Sequence, residues 1–315
     1  MAESNEDVAL RLVDALYAGT PAPAGCRVNH ARGLLVEGRF SPSGNARELT
    51  RAATFAGPDQ RVLARFSSST SDPDIAQDDR HANPRGLAVR IGSTPGLVLV
   101  GHSVEAFPAR DPAEFLAFLE ALNGAAEHPE QLDRHVREHG AARRFEAVRA
   151  GAPASFAAIR YHMLHPYRLT AEDGRSSVGR LSVVGGPDRA DRAQAPAGSD
   201  YLDRELRSRL AHGPVELLLV FQPAPDSDAV TDVSASWSDL GGVKVLGRVL
   251  IERIKPDQAA QRTAVFDPAM LPDGVAFAGD PMIEARVAAY RLAARRRLGG
   301  QPPLEAAKTR TEQGD

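Results

Sequence analysis

Between residues 34 and 101 four short apolar runs succeed one another with no helical segment between them, at 34–40, 61–66, 86–91 and 97–101. Turn-forming clusters separate them, among them Ser41-Pro-Ser-Gly44 and Ser93-Thr-Pro-Gly96. Proline and glycine supply the backbone angles that end a strand and reverse it, so this half predicts an antiparallel meander. A second set of strands is expected at 156–163, 167–170, 177–184, 214–222 and 243–254. Strand and helix do not alternate along the chain. An α+β fold, an antiparallel β-barrel with helical insertions, therefore fits better than a doubly wound parallel sheet.

Helices are expected at five places around these strands. Residues 7–17 carry apolar side chains at helical spacing (Val8, Leu12, Val13, Leu16). Asp111-Pro112 opens a second helix with proline at its first position, and Asn123-Gly124 ends it. A charged helix over 129–149 carries His135 and His139, and a further one spans 201–212 with acids early and arginines late. The last runs from 286 to 298, rich in alanine and leucine and stopped by Gly299-Gly300. The charged tail at 301–315 is expected to be disordered, leaving one domain over 1–300.

Charge and cysteine content narrow the chemistry. Basic and acidic residues alternate to a formal net charge of −3, which argues against a nucleic-acid partner. One cysteine, Cys26, excludes an intramolecular disulfide and cysteine-based metal clusters. The acidic N-terminus lacks the pattern of a signal peptide, and no run suits a membrane span. The expectation is a cytoplasmic protein with no membrane partner.

Three local patterns could carry chemistry. Arg286 and Tyr290 lie four apart on one helical face, with Arg297 seven further on. A guanidinium beside a phenol favours the phenolate, a hard anionic ligand for ferric iron; the alternative is a tyrosine packed on a core. His30 stands just before the first strand, where an imidazole could point into a barrel mouth and move protons, or could be a solvated loop histidine. Arg65 and Ser67 share one face of the second strand by its period of two. If that face is interior, the arginine demands an anionic partner; if it is an exposed edge, it demands nothing.

Read in order, Asn29-His30-Ala-Arg-Gly33, Arg65-Phe-Ser67, Asn83-Pro-Arg-Gly-Leu-Ala-Val89 and Phe107-Pro-Ala-Arg-Asp-Pro112 resemble the haem catalase family. The second half continues the likeness with Tyr161-His-Met-Leu-His165-Pro-Tyr-Arg-Leu169, Phe266-Asp-Pro-Ala-Met-Leu-Pro-Asp-Gly274 and the Arg286–Tyr290 helix. The resemblance runs from about residue 26 to 299, and the short length is similar to the small catalase-related peroxidases. It implies a catalase-like barrel binding haem b, with Tyr290 as the iron ligand and Arg286 supporting the phenolate. It also implies His165 as an outer-shell residue, His30 as the distal acid–base, and Ser67 as the group fixing its tautomer. Arg27, Arg65 and Arg297 would pair with the haem propionates, two of the arginines from inward-facing barrel positions, and Phe107 and Phe115 would pack near the distal face and channel.

Four positions depart from the family pattern. His102 stands where an asparagine is expected, as a second base or a space-filler. Asn29 and Ser69 replace channel valines, and Asn83 replaces a channel acid. These changes weaken disproportionation and imply a peroxidase using hydrogen peroxide or organic hydroperoxides with a small organic electron donor. Hydroperoxide rearrangement and a non-enzymatic haem carrier are the rival readings, and a homodimer is the expected assembly.

Overall fold

The computed structural model describes residues 4–19, 22–93, 96–148, 152–185, 198–224, 230–237 and 242–299. Eight strands form the barrel: β1 (Gly33–Pro42), β2 (Gln60–Ser67), β3 (Gly86–Ile91), β4 (Leu97–His102), β5 (Arg160–Thr170), β6 (Ser176–Gly185), β7 (Val215–Pro223) and β8 (Lys244–Ile254). Each pairs antiparallel with its sequence neighbour, β1 also pairs with β8, and β4 meets β5 to close the ring. That last joint is a single pair, His102 opposite His162. A Cβ on Gly101 would collide with the His162 carbonyl, so only glycine lets the two strands approach there. A ninth strand, β9 (Val275–Phe277), extends the sheet from β5.

The two expected strands at 156–163 and 167–170 are one strand, β5, with a register shift between Met163 and Tyr167. A β-bulge there keeps pairing on both sides while bending the strand. Residues 156–158 form a 3₁₀ turn instead. The other expected strands are present within two residues of their boundaries.

One alternate set of side chains from each strand fills the lumen. Phe66 of β2 stacks on Phe156 with ring centroids 5.1 Å apart, and Val36, Leu87, Leu99, Tyr161, Leu181, Phe221 and Val249 join the same buried cluster. Because the period is two, the neighbours Leu63, Arg65 and Ser67 must point outward. Arg65 and Ser67 are therefore not on inward-facing positions. They are buried all the same, since other elements cover this outer face.

Those elements are helical. They are α1 (Asn5–Gly19), α2 (Pro112–Gly124) and α6 (Met282–Leu298), together with the segment 259–267. Asp111 caps α2 by accepting the Glu114 N–H at 2.9 Å, with Pro112 at the first helical position as expected. α5 (Tyr201–His212) lies between β6 and β7 and matches its expected bounds. The expected helix at 129–149 is two, α3 (Pro129–Glu138) and α4 (Gly140–Val148). His139 breaks them with an extended backbone, and its ring stacks on His135 at 3.9 Å. Gly299 ends α6 in the left-handed conformation. No helix among the described residues is long and apolar enough to cross a membrane. The tail at 301–315 lies outside the described residues.

Candidate active site

A cavity of about 290 Å³ opens between the outer face of β2–β4 and the inner face of α6. Twelve of the fourteen site positions singled out above line it: Arg27, Asn29, His30, Arg65, Ser67, His102, Phe107, Phe115, His165, Arg286, Tyr290 and Arg297. Ser69 and Asn83 do not. Its size suits a cofactor-sized ligand, and its walls are mostly apolar with a few convergent polar groups.

The barrel wall is built from one row of paired residues. Gly33, Ser67, Gly86, His102 and His162 stand opposite one another across β1, β2, β3, β4 and β5. Opposed residues in antiparallel strands lie about 4.5–5.5 Å apart, so this row is a narrow shelf of small side chains with histidines at one end. The glycines make room. A Cβ on Gly86 would sit 2.6 Å from Ser67 Oγ and 2.8 Å from His30 Nδ1, and one on Gly33 would overlap the Arg65 guanidinium.

His30 lies over this shelf. Its Nδ1 is 3.1 Å from Ser67 Oγ, which leaves Nε2 as the nitrogen free to meet a ligand. Burial, then the charges of Arg65, Arg27, Arg286 and Arg85, push its pKa down to about 3. The imidazole is thus neutral across the physiological range. His102, beside it, is likewise pushed down to about 3, by burial first and then by Arg286. The Val104 N–H donates to His102 Nδ1 at 3.3 Å, so the proton of the neutral ring resides on Nε2. In that tautomer His102 Nε2 carries the ring's N–H.

The opposite wall is α6. Arg286, Ala289, Tyr290, Ala293, Ala294 and Arg297 share the face turned to the cavity. Alanines here leave a flat, open surface around the tyrosine. Arg286 Nη2 donates to the Tyr290 hydroxyl at 3.4 Å and to the Val100 carbonyl at 3.3 Å. Burial works against the Arg286 charge, but Tyr290, Tyr167 and Asp280 outweigh it and hold its pKa above the ordinary range. His165 donates from Nδ1 to Asp280 Oδ2 at 2.8 Å in a nearly dry setting. Burial and Arg286 lower its pKa, against the pull of Asp280. Asp280 also accepts the Met282 N–H at 2.9 Å, so it ties the start of α6 to β5.

At one end of the cavity three guanidinium groups converge. Arg27 donates to the carbonyls of Gln261 and Ala264, at 2.6 and 2.9 Å. Arg65 donates to the carbonyls of His30 and Ala31 and to Gln261 Oε1, and Arg297 to those of Arg262 and Ala264. Among the described residues none of the three meets a carboxylate. Burial and mutual repulsion hold Arg27 well below the usual arginine range, and burial with Arg297 pushes Arg65 down to about 9. Buried cations in such a cluster are costly unless an anion joins them.

The sequence model of the catalase family, described as "Catalase", matches residues 23–184. A catalase-related peroxidase of Mycolicibacterium paratuberculosis is 31% identical over 91% of this chain and 94% of its own length. The chain belongs to the catalase family. A second catalase-related peroxidase, of Synechococcus elongatus, is 25% identical over 88% of this chain and 84% of that one. Among solved structures a fungal catalase superposes with a TM-score of 0.73 at 20% identity, covering 92% of this chain and 62% of that chain. The eight-stranded barrel with its helices is thus the catalase fold.

Several contributors to this catalase-family site went unnoticed in the sequence. Asp280 belongs to a Gly-Asp-Pro turn before α6, a helix-start signal that gave no hint of its bond to His165. Gln261 and the carbonyl of Ala264 sit in a segment without periodicity. Gly86 could be found only once its strand neighbours were known. Leu12, Val13 and Leu16 of α1 also line the cavity, with α1 tied to α6 by the 2.7 Å pair of Asp14 and Arg296.

Proposed function

We propose that this chain is a haem-dependent peroxidase acting on hydrogen peroxide or organic hydroperoxides, with little catalase activity. One observation carries the reading. A tyrosine–arginine pair on α6 and a neutral histidine–serine pair on the barrel line a single cavity, and three arginines crowd its end with no carboxylate on them among the described residues. Haem fits this set. Its two propionates would neutralise Arg27, Arg65 and Arg297, its flat ring suits the alanine face of α6, and Tyr290 would be the iron ligand with Arg286 beside its oxygen.

When bound, haem supplies the redox chemistry that splits the O–O bond. This chain's residues move the protons. His30 takes one from the inner peroxide oxygen through Nε2 and returns it to the outer oxygen. Ser67 holds Nδ1 and so keeps the ring oriented for both transfers. His102 offers its Nε2–H as a fixed donor, which orients a peroxide without competing for its proton. Asp280 and His165 set the position of α6 and thereby of Tyr290. A small organic donor returning the enzyme to rest is the proposed reductant.

The test is the optical spectrum and haem content of the wild type beside Tyr290→Phe. Rates of donor oxidation and of dioxygen release from hydrogen peroxide complete it. The reading expects haem in the wild type, altered ligand bands in Tyr290→Phe, and donor oxidation well above dioxygen release. Equal haem content and identical bands in both proteins would overturn the ligand assignment. Conversion of a hydroperoxide into a rearranged product without donor oxidation would replace the peroxidase.

A further inference from the structure

Two residues other than glycine have left-handed backbones among the described residues, His30 with φ 55° and Thr70 with φ 79°. Side chains with a Cβ seldom adopt this conformation, a β-branched threonine least of all. The two lie together. The segments 28–33 and 67–70 continue the β1–β2 ladder past the Gly33–Ser67 pair, with Ala31 N–H donating to the Thr70 carbonyl at 2.9 Å and Ser68 N–H to that of Arg32 at 3.0 Å.

One oxygen joins them. Asn29 Oδ1 accepts the N–H of His30 at 2.8 Å and the N–H of Thr70 at 2.9 Å. Ser69 Oγ approaches the same atom at 3.5 Å. A carboxamide oxygen has two lone pairs, and here both are given to backbone N–H groups of the two left-handed residues. The direction in which the imidazole leaves the chain depends on that backbone. With it, Nδ1 reaches Ser67 and the ring lies over Gly86, whose missing Cβ leaves the space the imidazole occupies.

We propose that Asn29 is a positioning residue whose carboxamide oxygen locks His30 and Thr70 in their left-handed conformations and so delivers the His30 imidazole to Ser67 and the cavity. A valine, the residue the family likeness leads one to expect here, has no acceptor and would leave both N–H groups unheld. An aspartate keeps the acceptor. The importance of the lock for turnover rests on the peroxidase reading given above, whereas the lock itself is a statement about backbone and ring.

The experiment compares wild type, Asn29→Val, Asn29→Asp and the double variant Asn29→Val with Thr70→Gly. Each is the full chain with isotope-labelled histidine, loaded with zinc protoporphyrin so that paramagnetism does not broaden the signals. Nuclear magnetic resonance then reads the His30 ring. The native enzyme is assayed in parallel for kcat and KM toward peroxide. In Asn29→Val the Ser67-bound Nδ1 signature is lost. The ring then titrates above its wild-type value, having left the burial that chiefly lowers it and the nearby arginine charges. Displacement of a catalytic group by about 1 Å costs on the order of 100-fold, so kcat falls by roughly that factor while KM changes little. Asn29→Asp retains the Nδ1 signature, with a titration raised by its own charge. Glycine at position 70 removes one of the two disfavoured conformations and restores part of the loss.

A wild-type His30 signature and wild-type kcat in Asn29→Val would overturn the proposal. So would loss of the signature in Asn29→Asp, which decides the matter should the valine variant fail to fold. His30→Gln serves as the separate control. If it leaves turnover unchanged, the peroxidase reading fails, while the ring signals still decide whether Asn29 holds the loop.

Discussion

Phe66 and its two neighbours on β2 point in opposite directions and serve opposite ends. Phe66 turns into the lumen, where Phe156 and Tyr161 enclose it. Arg65 and Ser67 turn outward, one into a cluster of repelling guanidinium groups and the other toward His30. The inner face of the barrel is apolar and close-packed, so it contributes stability. The outer face under α6 accumulates buried charge and left-handed backbone, so it draws on that stability to hold groups ready for chemistry. A strand with period two lets both be built from adjacent residues without compromise in either.

This division can be broken at either face. The largest effect is expected at His30: replacing it with glutamine removes the proton carrier and lowers the peroxide reaction by about 10²–10⁴-fold, while the chain stays folded by circular dichroism. Phe66→Ala is the converse. It should cost about 3–5 kcal/mol in denaturant unfolding, with turnover per folded molecule close to wild type. If Phe66→Ala lowered turnover of the folded fraction as strongly as His30→Gln, the two faces would not be independent.

Acid sharpens the same contrast. His30 and His102 are held near 3 in the fold and would titrate near 6.5 unfolded. Above pH 6.5 neither state binds these protons and the pair has no effect on the pH dependence. Between about 6.5 and 3 the unfolded chain binds protons that the folded chain refuses, so stability falls as pH falls. Urea unfolding at stepped pH should show this slope in the cofactor-free chain, and His102→Gln should reduce it. His30→Leu and Phe66→Leu should differ here, only the former changing the slope.

Smaller effects are expected further from the cavity. Asp280→Asn weakens the hold on His165 and the start of α6, and should cost about 10–100-fold in haem retention, read by transfer of haem to a scavenger. At the far end of β1, Arg39 pairs with Glu252 at 2.6 Å with half of its side chain exposed. Arg39→Ala should change stability by about 0.2–1 kcal/mol and turnover not at all. A larger change there would mean that the outer face is sensitive along its whole length and not only beneath α6.

The eight barrel strands were legible because apolar runs and turn residues punctuate them, and Asp111-Pro112 and Gly299 marked helix ends through their capping chemistry. The side chains of the site were legible through family likeness more than through pattern. Period two placed Arg65 and Ser67 on one face without telling which, because Leu63 makes the outer set as apolar at its start as Val62 and Ala64 make the inner. His139 escaped notice as a helix break because the histidine before Gly140 lies in an otherwise continuous charged pattern. β9, three residues long, is too short to leave a period. Asp280, Gln261 and Asn29 act through a few hydrogen bonds that include distant segments, and such bonds leave no trace in local sequence.

The filled lumen has a consequence for traffic. A cylinder plugged along its length by Phe66, Phe156, Tyr161 and Phe221 is no conduit, so whatever reaches the cavity under α6 must travel around the barrel wall. Redesign of the cavity for bulkier ligands therefore belongs to α1 and α2, whose Leu12, Leu16 and Phe115 line it, as much as to the strands.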